Sequence, residues 1–95
     1  MREKVIEQKL TQAVKKAGGL AIKFTSPGLS GMPDRLVILP KSHVAFVEVK
    51  APGMKPRPLQ LMRHGGLRRL GCKVFVLDDE GQVGKLLDEM RGGAG

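Results

Sequence analysis

Ninety-five residues suffice for one domain and one core, so the chain is read as a single unit over 1–95, and so small a core makes a second copy a reasonable partner. Seventeen Lys plus Arg against nine Asp plus Glu give a net charge of +8 and a pI near 10.2, which directs attention to polyanions and to nucleic acid first. The basic residues are spread over loops and several elements rather than along one amphipathic helix, and no uncharged apolar run approaches the roughly 20 residues that span a bilayer, so no membrane partner is expected.

The opening MREKVIEQKL is charged and periodic, unlike a signal peptide, and the expected location is intracellular and cytoplasmic, in a bacterial or viral setting. Val5, Ile6, Leu10, Ala13, Val14 and Ala17 recur at helical spacing, and Gly18-Gly19 stops them, which predicts a first helix over 2–17. Glu7 shares a stripe of that helix with Glu3, Leu10 and Val14, so it borders the apolar face, where a carboxylate serves solvent and a site equally well. LAIKF at 20–24 alternates like a short strand, and TSPGLSGMP at 25–33, rich in Pro, Gly and Ser, reads as a loop.

RLVILP and VAFVEVK, separated by Lys41-Ser42-His43, have the pattern of an antiparallel hairpin. A Pro/Gly/Lys loop follows over 51–58, with Pro58 placed as the first residue of a second helix through about Leu70. Gly65 and Gly66 cost that helix about 1 kcal/mol each relative to alanine, which points to close packing or a partner's approach there. His43 and His64, single residues on a turn and a helix, read as surface side chains. Cys72 excludes an internal disulfide and a Cys-rich zinc site, and beside an apolar run it reads as a buried thiol. VFVL at 74–77 is a buried strand, DDEGQ a turn, and Val83, Leu86, Leu87 and Met90 mark a last amphipathic helix before a fraying tail at 91–95. The fold class is α/β in the order α-β-β-β-α-β-α, a central mixed sheet flanked by helices.

Charge is distributed unevenly over this frame. Between Gln8 and Leu77 stand thirteen Lys plus Arg and only two acidic residues, Asp34 and Glu48. A hairpin turning near Lys41 or Ser42 places Asp34 opposite Glu48 or one position away, with Cβ atoms about 5 Å apart when directly paired. Two carboxylates so placed repel each other unless a cation or a proton lies between them. Period two also puts Glu48 and Lys50 on one face of a strand that is otherwise apolar on both faces, beside Val44 and Phe46. Such a pair sets a metal-binding carboxylate next to an ammonium that can hold the attacking water and offset phosphate charge. An isolated E-x-K is an ordinary surface ion pair of small value; with Pro33-Asp34 at hairpin distance, the pattern points to a metal site. Oxygen ligands without a Cys or His cluster favour Mg²⁺ or Mn²⁺ over zinc, and no organic cofactor is expected.

GMPD followed fourteen positions later by EVK resembles the PD-(D/E)xK nuclease superfamily. More narrowly, AGGLAIKFTSPGLSGMPDRLVILP, then EVKAPG, and PLQ running into a helix ending LRRLG look like the VRR-NUC family, over about Glu3 to Leu87. The resemblance implies a restriction-endonuclease-like fold and a metal-dependent DNA endonuclease. Stand-alone members of this size resemble Holliday-junction resolvases and act as homodimers. Carried over by position, Asp34, Glu48 and the Val49 main-chain carbonyl would bind the metal, and Lys50 would be the catalytic lysine. Glu7 would be the helical acidic residue and Gln60 the glutamine after the active-site strand, completing the catalytic set. Gly65-Gly66 departs from the helix formers expected there. The chain shows no extension for a separate recognition module, which limits the sequence specificity expected of it.

For nucleic-acid contacts the candidates are Lys55, Arg57, Arg63, Arg68 and Arg69 after the active-site strand, and Lys23, Ser26 and Arg35 around the Gly-rich loop. Three Phe with no Trp or Tyr argue against a base-stacking platform for single strands. Two other classes stay open: a non-catalytic basic DNA-binding or architectural protein on the same fold, and a small RNA-binding module. Neither accounts for the E-x-K and its distant Pro-Asp partner.

Overall fold

The computed structural model describes residues 2–92 and contains α1 (Arg2–Lys16), β1 (Leu20–Lys23), β2 (Arg35–Leu39), β3 (His43–Val49), α2 (Pro58–Arg69), β4 (Val74–Leu77) and α3 (Val83–Met90), with a short 3₁₀ turn at Glu80–Gln82. The predicted order is found. Of the tail expected to fray, Arg91 and Gly92 form a turn, and 93–95 lie outside the described residues. Among the described residues no helix is long and apolar enough to cross a membrane.

Helix α1 ends where Gly18 takes a φ of 87°, a left-handed conformation that only glycine adopts without penalty. Gly19 N–H then donates to Val14 O at 2.9 Å and Gly18 N–H to Lys15 O at 3.0 Å, satisfying carbonyls the helix would otherwise leave open. The chain turns directly into β1. A Cβ on Gly19 would lie 2.3 Å from Ile38 O, so the chain entering β1 passes β2 as closely as backbone permits.

The strands lie in the order β1-β2-β3-β4, antiparallel up to β3, while β3 and β4 run parallel and are joined through α2. In the hairpin Leu39 pairs with His43, so His43 opens β3 rather than sitting in the turn, and the turn centres on Lys41. Lys41 and Ser42 hold φ values of 70° and 63°, uncommon for residues with a Cβ. That turn fixes the register, and the register fixes which carboxylates meet.

One face of the sheet carries the core. Val37, Leu39, Ala45, Val47, Val49 and Leu77 pack against Ile6, Leu10 and Val14 of α1 and Val83, Leu86, Leu87 and Met90 of α3. Each fully buried aliphatic side chain contributes about 1.5–3 kcal/mol, so this face supplies most of the driving force. The opposite face is only partly covered, because α2 packs over β4 and the Glu48 end of β3 and leaves much of β1 to β3 to solvent. Leu20, Ile22 and Val44 on that face are 61%, 42% and 44% exposed.

Three expectations are corrected. His64 is 0% exposed, because the inner face of α2 turns it onto the sheet. Cys72 is only half-buried, since it lies in the turn between α2 and β4 rather than in a strand. Gly65 and Gly66 mark no close packing within the chain, because a Cβ at either would meet only the mobile end of Arg69, at 3.6 and 3.8 Å, and α2 runs through both. Gly65→Ala and Gly66→Ala are therefore each expected to stabilise the protein by about 0.5–1 kcal/mol, read as a rise in the urea midpoint at constant slope.

Candidate active site

The hairpin register, continued by one position past Arg35–Val47, sets Asp34 across from Glu48 at the end of the sheet where α1 begins. Asp34 Oδ1 accepts the Val49 N–H at 3.2 Å, which ties the loop after Pro33 to the end of β3. Burial raises the Asp34 pKa; the Val49 hydrogen bond opposes this, and the charges of Glu7 and Glu3 add to it.

Glu48 is 4% exposed, and its pKa is pushed up to about 7, first by burial and then by the charge of Asp34, against the pull of Lys50. Its Oε2 accepts from Gln60 Nε2 at 3.2 Å and lies 3.8 Å from Lys50 Nζ. Its Oε1 is buried without a hydrogen-bond partner among the described residues, 3.8 Å from His64 Nε2. Gln60 is fixed from both ends, because its Oε1 accepts the Arg57 N–H at 2.8 Å at the start of α2, where Pro58 needs no partner. Helix initiation and carboxylate placement thus depend on one amide side chain.

Glu7 approaches from α1. Its Oε2 meets Arg35 Nη2 at 3.4 Å, and carboxylate oxygens of Glu3, Glu7 and Asp34 lie within 4.8 Å of one another. Glu3 belongs to this cluster although sequence reasoning gave it no role; its position one turn before Glu7 on the same stripe was the available signal. His64 was missed as well, since nothing local in the sequence marks a helical histidine as buried against a distant strand. Four of the chain's nine acidic residues therefore converge at one end of a protein of net charge +8.

Such a group of carboxylates repels itself, and the cations at hand, Arg35 and Lys50, do not neutralise it. Hard oxygen donors within a few ångström of one another, an unpartnered Oε1 on Glu48 and a carboxylate held near neutrality all suit a divalent cation. The residues present fit Mg²⁺ or Mn²⁺. Val49, placed by its own N–H on Asp34, brings its main-chain carbonyl to the same strand end.

The candidate phosphate contacts divide. Lys23, Lys55, Arg57 and Arg69 stand exposed, and Ser26 is half-buried in the loop after β1. The other three are engaged within the fold. Arg35 pairs with Glu7, Arg63 Nε donates to Ser30 O at 3.0 Å and clasps the 25–33 loop to α2, and Arg68 Nη2 donates to Val74 O at 2.7 Å.

No family model matches the sequence. Among curated proteins, the chain is 54% identical over 80 residues to "Putative nuclease p44" of Acyrthosiphon pisum secondary endosymbiont phage 1, covering 84% of this chain and 86% of the relative. Among solved structures, a VRR_NUC domain superposes with a TM-score of 0.86 at 40% identity, over 92% of this chain and 95% of that one. Fold, carboxylate cluster and relatives together define a nuclease. The chain belongs to the VRR-NUC family.

Proposed function

We propose that this nuclease is a Mg²⁺- or Mn²⁺-dependent endonuclease that hydrolyses phosphodiester bonds in DNA and prefers branched substrates such as four-way junctions. The observation that carries the reading is Glu48: a nearly buried carboxylate facing Asp34, which is costly for the fold unless a cation compensates it. Asp34, Glu48 and the Val49 carbonyl would hold the ion, with Glu7 closing the group from α1. When bound, such an ion lowers the pKa of a water and offsets charge on the leaving oxygen.

The chain's own residues do the rest. Lys50, on the same face as Glu48 and itself half-buried, projects its ammonium to where an attacking water and a phosphate oxygen would lie. Gln60 holds one oxygen of Glu48, Oε2. Lys23, Lys55 and Arg57 are placed in solvent to meet phosphates, whereas Arg63 and Arg68 serve mainly to hold the loop and β4.

A homodimer accords with the open sheet face, where the exposed Leu20, Ile22 and Val44 adjoin the half-buried Leu36, Ile38 and Phe46 in one apolar patch. Two sites related by a two-fold axis suit a substrate with two equivalent strands. The test is cleavage of labelled duplex, flap, single-stranded and four-way-junction DNA with Mg²⁺, Mn²⁺ or EDTA, with the mass in solution measured by sedimentation. The expected result is cutting in both metals, none in EDTA, and the highest rate on the junction. Tight metal-independent binding without cutting would replace this reading with an architectural one, and stronger competition by RNA at matched salt with an RNA-binding one.

A further inference from the structure

Helix α2 is unusual in what it buries. Its buried side chains are Gln60 and His64, both polar, one turn apart on the same face, and both directed at Glu48. Gln60 Nε2 already donates to Oε2, while His64 Nε2 stands 3.8 Å from Oε1. Among the described residues, Oε1 and both ring nitrogens of His64 are buried and without partners. A buried donor and a buried acceptor left open each cost about 1–3 kcal/mol, so such a facing pair calls for an explanation. Oε1 and Nε2 have almost no accessible surface, so water does not reach them to fill the 3.8 Å between them. Closing it by about 0.8 Å yields an ordinary hydrogen bond, and contacts of this kind are commonly long before substrate and ion arrive.

We propose that His64 is a positioning residue for Glu48: as the Nε2–H tautomer it donates to Oε1 while Gln60 donates to Oε2, so that one face of α2 clamps both carboxylate oxygens. The inference rests on the reading of Glu48 as a metal ligand. Burial, together with the charges of Arg68 and Lys50, lowers the pKa of His64, so the ring is neutral and carries a single N–H. Each carboxylate oxygen keeps a second lone pair, and with both oxygens anchored those lone pairs point in a fixed direction. Without His64 the carboxylate turns about its terminal torsion, which is broad and roughly two-fold. Outer partners of this type govern metal affinity by about 10–100-fold.

The experiment is calorimetric titration of the metal-free protein with Mn²⁺, beside thermal melts, for the parent and for His64→Leu, His64→Gln and His64→Asn. His64→Leu is expected to weaken Mn²⁺ binding by about 10–100-fold while its melting temperature holds or rises, since an unpartnered imidazole has left the core. His64→Gln, whose amide reaches as far as Nε2, restores most of the affinity. A merely structural histidine would lower the melting temperature and leave the affinity of the folded protein alone. Parent-like Mn²⁺ affinity in His64→Leu overturns the proposal. Should that variant not fold, equal affinities for the Gln variant and the shorter Asn variant overturn it instead. Failure of the parent itself to bind Mn²⁺ would remove the metal reading of Glu48, and the clamp with it.

Discussion

Glu48→Gln is expected to lower metal-dependent cleavage by at least about 10³-fold, and Lys50→Ala by about 10²–10³-fold, in single-turnover assays at a metal concentration that saturates the parent. The substitutions remove different things. Gln at position 48 keeps the shape and can still accept from Gln60, but it takes away the charge that draws a cation to the end of β3. Raising the metal concentration should therefore recover part of its activity. Lys50→Ala leaves the carboxylates intact and removes the ammonium 3.8 Å from Glu48, so its defect should persist at any metal concentration. Cutting by Glu48→Gln at the parental rate would place the chemistry elsewhere.

Both residues were visible in the sequence because they broke a pattern. A strand apolar on both faces that turns polar at Glu48, in a stretch almost free of acids, is hard to read as a surface feature. The pairing of Asp34 with Glu48 was equally legible, since a two-fold periodicity and a turn at Lys41 leave little freedom in register. Helix residues were harder. Glu3 and His64 lie on faces whose neighbours are set by how α1 and α2 dock, and a helix does not announce its docking angle. The basic residues were harder still. Arg35, Arg63 and Arg68 look like any other surface cation in sequence, yet each is engaged with a carboxylate or carbonyl that only the folded chain brings near. Of the two readings of Gly65 and Gly66, close packing or a partner's approach, the fold removes packing within the chain, since it places only the end of Arg69 near them.

Metal and proton compete for Glu48, and stability should register the competition. With a pKa of about 7 in the folded chain against an ordinary 4.5, the folded state holds this proton more tightly than the unfolded state does. Its contribution is fully present below pH 4.5 and is lost as pH rises through about 7. His64, lowered in the fold, acts in the opposite sense below its ordinary 6.5, and Asp34, raised, acts with Glu48 at lower pH, so the parent's own pH profile mixes three groups. The comparison with Glu48→Gln isolates the carboxylate. In EDTA the variant is expected to gain on the parent by on the order of 3 kcal/mol between pH 4.5 and pH 8, roughly 10 °C or more in melting temperature for a domain of this size. A gap that stays constant across that range would show that Glu48 is not held near neutrality. Adding Mn²⁺ to the parent at about 100 times its dissociation constant should return about 2.7 kcal/mol at pH 8, because only the folded state presents the site. Below pH 7 that gain should shrink, the half-saturating metal concentration rising about tenfold per pH unit as the ion displaces a proton from the same carboxylate.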